Sequence, residues 1–292
     1  MTRVDSALRT ARAAGVDRLD AQCLLAWRLQ QPRAWLLAHE DAELDAGLVA
    51  VFADDCRRRA AGEPLAYLIG EREFHGLMLQ VTPAVLVPRP ETEGLVDWAL
   101  ELLAGALVGD FDGADIATRT AGPAVEIADL GTGSGAIAIT LAVALAHAQP
   151  KPRICATDLS PDALAVARAN AARHGADVEF LAGDWWQPLA GRQFDLVLSN
   201  PPYIAGADPH LAALQHEPRQ ALTPGRDGLG AIERIVGGAG GRLRTGGWLL
   251  IEHGHDQGPA LRQLLVANGF VNVTTRTDLA GLPRCSGGKW PG

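Results

Sequence analysis

Short apolar segments and longer amphipathic segments alternate along residues 125–199, and this alternation constrains the fold more than any other feature. The short runs are typical of buried strands, whereas the longer segments repeat apolar residues at helical spacing. The predicted order is strand 125–130, helix 136–147, strand 153–157, helix 161–174, strand 178–181 and strand 194–199. Because parallel strands need crossover connections, the alternation predicts an α/β fold with a doubly wound parallel sheet. Further along, the pattern predicts helix 228–243, strand 248–252, helix 259–268 and strand 270–276.

The N-terminal part of the chain has a different pattern. Apolar residues recur at helical spacing between residues 5 and 61, which predicts a small helical bundle. Residues 74–81 and 85–87 are predicted to form a short β-hairpin. We therefore expect a helical domain over residues 1–71, a β-hairpin linker over 72–90 and the α/β domain over 91–292.

Two further segments lie between the hairpin and the first strand of the sheet. The stretch Pro88-Arg89-Pro90-Glu91-Thr92-Glu93 precedes an apolar helix that is predicted to run to about residue 107. Proline and acidic side chains suit the first turn of a helix, so a simple helix start is one interpretation of this stretch and a functional role is the other. The composition of residues 109–123, rich in Gly, Asp, Ala and Thr, predicts an exposed insertion without chemistry.

Charge and cysteine spacing limit the class of partner and the compartment. The net charge of −8 argues against a surface built to bind phosphate backbones, so we expect a protein or small-molecule partner and no direct nucleic acid contact. The four cysteines form no CxxC pair, and the N-terminus has no apolar signal core. The most apolar stretch, 136–148, is shorter than the roughly 20 residues of a membrane span. We expect a cytoplasmic monomer that does not contact a membrane.

The loop Asp129-Leu130-Gly131-Thr132-Gly133-Ser134-Gly135 follows the first predicted strand of the sheet. Its glycines let the backbone turn sharply and approach a nucleotide-like ligand. The loop also fits the dinucleotide pattern G-x-G-x-x-G/A, and a tight turn without a ligand is a third interpretation.

Asp158 ends the next strand, where a carboxylate can reach ribose hydroxyls. Asp158 could instead cap the following helix, but Ser160 before Pro161 is the better N-cap, which leaves Asp158 free for a ligand. Trp185, after the third strand, could border an adenine ring or belong to the core.

Asn200-Pro201-Pro202-Tyr203 ends the strand predicted for residues 194–199. Pro201 and Pro202 have fixed φ and lack a backbone N–H, so the turn is stiff and its carbonyls stay available beside the Asn200 amide. The segment is therefore a candidate rigid acceptor site at the edge where open α/β sheets bind ligands. A proline turn that merely ends a strand is the alternative.

With these pieces in order, the chain resembles the class I S-adenosylmethionine-dependent methyltransferases, and within them the protein-(glutamine-N5) methyltransferases of peptide chain release factors. The resemblance covers nearly the whole chain. It rests on residues 63–70, 74–76, 87–93, 129–135, 200–203, 252–254 and 278–281. The family's fold is a Rossmann-like seven-stranded sheet whose last strand is antiparallel, preceded by a helical substrate-recognition domain. The insertion at 109–123 is longer than usual for the family, and the glycine-rich tail from 283 to 292 has no assigned place.

The resemblance implies roles for the residues of both motifs. Gly131, Thr132, Gly133, Ser134 and Gly135 would line the methionine and ribose parts of S-adenosylmethionine, Asp158 would hold the ribose hydroxyls, and Trp185 would border the adenine. Asn200 would touch both cofactor and substrate, and Pro201, Pro202 and Tyr203 would complete the glutamine site.

We further predict how these residues act on the glutamine amide. The Asn200 side-chain oxygen and the Pro201 carbonyl would each accept one amide N–H, which turns the nitrogen lone pair toward the methyl group. Tyr203 would pack against the flat amide, and water would take the released proton. No metal is expected, because His75, His210 and His253 are too dispersed to be ligands.

Four other functions remain open from the sequence. A glutamine methyltransferase of a ribosomal protein shares fold, cofactor and chemistry with the release factor enzymes. An amino-methyltransferase of DNA or RNA would share the NPPY tetrapeptide, although the acidic balance counts against it. An NAD-dependent dehydrogenase explains the glycine loop but not NPPY, and a non-catalytic binding module does not explain the two motifs together.

Overall fold

The computed structural model describes residues 2–108 and 124–292. The chain divides into two compact units, of which the first ends at Glu71 and the second begins at Arg72. The insertion predicted at 109–123 lies outside the described residues.

The N-terminal unit is a small helical bundle. Its helices are α1 (Val4–Ala13), α2 (Arg18–Leu29), α3 (Arg33–Ala38), α4 (Ala46–Ala60) and α5 (Leu65–Ile69), and its short strands β1 (Thr2–Arg3) and β2 (Glu43–Leu44) pair antiparallel. Buried apolar side chains such as Leu24, Leu25 and Phe52 form its core. Arg28 on α2 donates two hydrogen bonds, of 2.6 and 2.8 Å, to the buried carboxylate of Asp55 on α4, which adds a directional link to the apolar packing.

The second unit begins with a hairpin whose position differs from the prediction. Its strands are β3 (Glu71–Phe74) and β4 (Leu77–Gln80), with the turn at His75 and Gly76. These two residues have φ of +49° and +80°, the combination that a tight hairpin turn requires. The strand predicted at 85–87 was wrong, since these residues form no regular structure.

The rest of the unit alternates helices and strands. The described helices are α6 (Pro90–Val108), α7 (Ala136–Ala144), α8 (Pro161–His174), α9 (Arg219–Leu222), α10 (Gly230–Ala239) and α11 (Gly258–Ala267). The strands are β5 (Glu126–Leu130), β6 (Arg153–Asp158), β7 (Glu179–Ala182), β8 (Phe194–Ser199), β9 (Leu243–Glu252), β10 (Val271–Thr277) and β11 (Pro283–Lys289).

Seven of these strands form one sheet in the order β10-β11-β9-β8-β5-β6-β7. The pairs from β9 through β7 are parallel, whereas β11 runs antiparallel to both of its neighbours. The predicted α/β fold and the antiparallel last strand are confirmed. The chain winds in opposite directions from β5, so the carboxyl ends of β5 and β8 flank the switch point where such sheets bind ligands.

Successive residues of the central strands pack on opposite faces of the sheet. Ile127 and Leu196 belong to the core beneath α6 and α7, whereas Ala128 and Val197 belong to the core beneath α10 and α11. Because both faces are covered, the strands are continuous apolar runs, which is the pattern that made them recognisable in the sequence.

The glycine-rich tail, which had no assigned place, supplies β11 between β9 and β10. A Cβ atom on Gly287 would lie 2.7 Å from the Leu249 carbonyl oxygen and 3.0 Å from the Trp98 ring. Glycine is needed there for close packing against α6, not for a loop. The helix predicted at 228–243 ends earlier, at Ala239, and Leu243 already begins β9.

Candidate active site

Two cavities meet at Asn200. The first, of about 290 Å³, is lined by the glycine loop, Asp158 and Trp185, and the second, of about 220 Å³, is lined by Tyr203 and Glu252. Asn200 lines both. The arrangement places one polar side chain between two separate binding spaces.

Asn200 is held at the end of β8 by its neighbours. The Ser199 hydroxyl donates a 2.7 Å hydrogen bond to the Leu130 carbonyl, which ties the end of β8 to the end of β5. Pro201 is buried, Pro202 lines the first cavity and Tyr203 lines the second. Pro201 lines neither cavity, so the turn places Pro202 and Tyr203 in different spaces.

The glycine loop folds back on the neighbouring strand. The backbone N–H groups of Gly131 and Thr132 both donate to the Thr157 carbonyl at 2.9 Å. Gly131, Gly133 and Gly135 have φ of +74°, +56° and +86°, the left-handed region that favours glycine. The loop is therefore fixed in a conformation that other residues would strain.

The residues of the loop do not all face the same space. Gly131, Thr132, Gly133 and Ser134 line the first cavity. Gly135 is instead the N-cap of α7, where a Cβ atom would lie 2.5 Å from Cδ1 of Ile139. Gly135 serves close packing at the start of the helix.

Asp158 braces the glycine loop and lines the first cavity. Its Oδ2 accepts the backbone N–H of Gly133 at 2.9 Å, and its Oδ1 accepts that of Ser160 at 2.8 Å. Ser160 is the N-cap of α8 as predicted, with its hydroxyl accepting the Ala163 N–H, and the two hydrogen bonds of Asp158 occur in addition to that cap. Burial raises the pKa of Asp158, and each carboxylate oxygen keeps a further lone pair for a ligand.

The two adjacent tryptophans have different roles. Trp186 is 6% exposed and its Nε1 donates to the Ile235 carbonyl, so it belongs to the core. Trp185 lines the first cavity with φ of +46°, and its buried Nε1 has no hydrogen-bond partner among the described residues. A non-glycine residue at positive φ is strained, which is typical of functional sites.

Asp129 is a second buried carboxyl group at this edge of the sheet. Its Oδ2 accepts the Thr132 hydroxyl at 2.6 Å, whereas its Oδ1 finds no partner within the part of the chain that the structure describes. Burial raises the pKa of Asp129 to about 7. Asp129 opens the loop motif, yet no pattern in the sequence indicates a titrating group there.

Asn200 also belongs to a polar network that was not predicted from the sequence. The Asn200 Nδ2 donates a 3.0 Å hydrogen bond to Oγ1 of Thr92, and Thr92 is hydrogen-bonded in turn to Glu252. The Tyr203 hydroxyl approaches Oε1 of Glu252 at 3.4 Å. Thr92 and Glu252 lie in two of the segments that carry the family resemblance, but spacing alone did not bring them together.

A second tie holds the segment before α6 in place. The buried carboxylate of Glu217 accepts the Val87 N–H at 3.0 Å and a hydrogen bond from the Arg89 guanidinium. Leu86 and Arg89 line both cavities. The stretch from Pro88 to Glu93 therefore both begins α6 and contributes to the site.

Within residues 2–108 and 124–292, no cluster of three or more His, Cys, Asp or Glu side chains is arranged to hold a metal ion. None of the helices that the described residues form is long and apolar enough to cross a membrane.

Solved structures with a similar fold include methyltransferases. The 16S rRNA methyltransferase RsmC of T. thermophilus, in complex with AdoMet and guanosine, has a TM-score of 0.52 at 16% identity, over 75% of this chain and 49% of that chain. The N-terminal domain of human METTL16, in complex with SAH, has a TM-score of 0.50 at 17% identity, over 81% of this chain and 83% of that chain. The chain thus has the fold of the class I methyltransferases.

Sequence comparison narrows the class. The family model for the PrmC N-terminal domain matches residues 3–70, and that for the Methyltransferase small domain matches residues 114–228. A release factor glutamine methyltransferase of Bordetella pertussis is 48% identical, over 94% of this chain and 95% of the relative. One of Burkholderia pseudomallei is 47% identical, over 98% and 97%. The chain belongs to the release factor glutamine methyltransferase family.

Proposed function

We propose that the protein transfers a methyl group from S-adenosylmethionine to the side-chain amide nitrogen of a glutamine in a peptide chain release factor. One observation carries the proposal: Asn200 stands between a cavity that suits a nucleoside and a separate cavity beside Tyr203. The names of the relatives, at 40–48% identity, support the choice of release factor as substrate.

The first cavity fits S-adenosylmethionine. Its lining combines Gly131 and Gly133, which lack Cβ atoms, with Asp158 and Trp185. Asp158 would accept the ribose hydroxyls, and the unpartnered Nε1 of Trp185 offers a donor at the same edge. When bound, S-adenosylmethionine supplies an electrophilic methyl group.

The second cavity would receive the glutamine side chain. Tyr203, Ile204 and Leu222 give it apolar walls that match the methylene groups of glutamine, and Asn200 and Glu252 add polar groups. The Asn200 Nδ2 is already engaged by Thr92, so its Oδ1 is the free end of the amide. That oxygen and the Pro201 carbonyl would accept the two amide hydrogens of the substrate.

These contacts address the weak nucleophilicity of a carboxamide. Its nitrogen lone pair is delocalised into the carbonyl, and two fixed acceptors favour the rotated, more tetrahedral nitrogen that the transition state requires. Alignment of the nitrogen with the methyl group supplies a further share of the rate enhancement. The nitrogen then releases one proton, which we assign to water.

Mass spectrometry of the release factor tests this function. We expect purified protein with S-adenosylmethionine to add one methyl group to a release factor glutamine amide, and Asn200→Ala to add none. Ribosomes incubated in the same way test the ribosomal-protein alternative, and methylation of ribosomes alone would contradict the proposal. A thermal shift with S-adenosylmethionine but none with NAD is expected, since ligands stabilise the state that they bind.

A further inference from the structure

The orientation of the Asn200 amide decides whether this residue can accept hydrogen bonds from a substrate. The two ends of a side-chain amide have nearly the same shape, so their hydrogen-bond partners determine which end points where. The nitrogen end of Asn200 donates to Oγ1 of Thr92 at 3.0 Å. The oxygen end is consequently the one that remains for the substrate.

Thr92 can accept the hydrogen bond from Asn200 only if its own hydroxyl proton points away from Asn200. A threonine hydroxyl has one proton and two lone pairs. If that proton pointed at Asn200, the amide would be stable in the opposite orientation, with its oxygen bound to Thr92. Above pH 7, where Glu252 is ionised, the hydrogen bond between Thr92 and Glu252 removes this alternative, because an ionised carboxylate only accepts.

Burial indicates that the network has a specific role. Thr92 is 4% exposed, and Glu252 is 1% exposed and directly follows the apolar residues 248–251 of β9. A carboxyl group in such a place is costly unless its hydrogen bonds compensate, and Oε2 of Glu252 has no partner among the described residues. An apolar residue would stabilise the end of β9 better.

We propose that Thr92 and Glu252 are positioning residues for methyl transfer: Glu252 orients the Thr92 hydroxyl, and Thr92 holds the Asn200 amide with its oxygen toward the glutamine. This inference depends on the proposed function, because it explains how the acceptor oxygen of Asn200 is presented. Glu252 lines the second cavity and not the first, whereas Thr92 lines the first, so cofactor affinity must be measured beside kcat.

The inference predicts different effects on kcat for two substitutions of Thr92. Thr92→Val keeps the shape and removes the hydroxyl, whereas Thr92→Ser keeps the hydroxyl. At pH 8, where Glu252 is ionised, we expect Thr92→Val to lower kcat by about tenfold or more, with Thr92→Ser within about threefold of the wild type. The affinity for S-adenosylmethionine, measured by calorimetry, should stay within about threefold for both variants.

Thr140→Val is the matched control. Thr140 is a threonine of 2% exposure whose hydroxyl donates to the Ala136 carbonyl within α7, and it lines neither cavity. Its loss removes a buried hydroxyl without affecting Asn200, so kcat should stay near the wild-type value. If Thr92→Val does not fold, Glu252→Gln replaces it, with the same expected loss of kcat and unchanged cofactor affinity.

Three results would overturn the inference. They are an unchanged kcat in Thr92→Val or in Glu252→Gln, an equal loss in Thr92→Val and Thr92→Ser, and a parallel loss of cofactor affinity. All require that the wild-type protein methylates the release factor. Failure of that first reaction would instead overturn the proposed function.

Discussion

The carboxylate of Asp158, at the end of β6, accepts the backbone N–H of Gly133 at 2.9 Å. A residue at the end of β6 thus holds the glycine loop that follows β5. Asp158 therefore both shapes the first cavity and lines it. We predict that Asp158→Ala weakens S-adenosylmethionine binding by about tenfold or more, because a charge-assisted hydrogen bond contributes about 1.5–3 kcal/mol.

Calorimetric titration of Asp158→Ala checks this prediction. Asp162→Ala is the control, since Asp162 is exposed in the first turn of α8 and lies outside the cavity lining. Equal dissociation constants for the two variants would show that Asp158 does not contact the cofactor or support its loop.

Gly131 and Gly175 provide a second pair of matched substitutions. Both have positive φ, +74° and +62°, so alanine strains the backbone at either position by about 1–2 kcal/mol. At Gly131 the new Cβ atom would also lie 2.8 Å from Cζ3 of Trp185, whereas at Gly175 it would meet nothing within 4 Å. Gly131→Ala should displace Trp185 and lose cofactor affinity, and Gly175→Ala should lose stability alone.

Denaturant unfolding and cofactor titration of both alanine variants separate strain from the clash. Retention of wild-type affinity by Gly131→Ala would mean that the contact of Trp185 with the loop is unimportant for binding.

Enlarged side chains can block one cavity at a time. Ile204 lines the second cavity and not the first, whereas Leu159 lines the first and not the second. We predict that Ile204→Trp raises the KM for release factor without changing cofactor affinity, and that Leu159→Trp changes cofactor affinity. Steady-state kinetics with each substrate varied in turn measures the effect. If Ile204→Trp left the KM for release factor unchanged, the second cavity would not be the glutamine site.

The pH dependence of stability reports on Glu252. Burial raises the pKa of Glu252 to about 7, with Glu91 adding to the shift and Thr92, Tyr203 and Arg284 opposing it. The unfolded chain has the ordinary value of about 4.3, so it binds fewer protons than the folded protein between these two pH values. The free energy of unfolding therefore loses the contribution of Glu252 as pH rises through this window.

Glu252→Gln removes that dependence. Relative to the wild type, its free energy of unfolding should rise between pH 4.5 and pH 8 by up to about 3 kcal/mol, as measured by urea unfolding. The contribution of Asp129, whose pKa is also raised to about 7, is common to both proteins and cancels. A constant difference across the range would contradict the raised pKa.

Local patterns in the sequence predicted many of the helices and strands. The apolar runs, the helix from Pro161 to His174 and its cap at Ser160 depend on neighbouring residues, and the structure has them as expected. The turn at His75 was missed because a non-glycine residue with φ of +49° gives little local signal. The strand β11 was missed because its glycines serve contacts with distant residues, among them Trp98 and Leu249.

In the site, too, local patterns were predicted and contacts between distant residues were not. The loop and Asn200 follow strands that the sequence reveals, so their meeting at one edge could be predicted. Thr92 is separated from Asn200 by 108 positions along the chain, and their hydrogen bond depends on how α6 packs against β9. Such a contact is a product of the tertiary fold, and the same holds for the buried carboxylate of Glu252.

The most direct test of the account is single-turnover methylation of release factor by Asn200→Ala, with cofactor affinity measured on the same preparation. We predict no methylation of the glutamine amide above the level without enzyme, and S-adenosylmethionine binding within about threefold of the wild type, because the loop, Asp158 and Trp185 remain. Near-normal turnover by Asn200→Ala would contradict the central claim that methyl transfer occurs where the two cavities meet at this side chain.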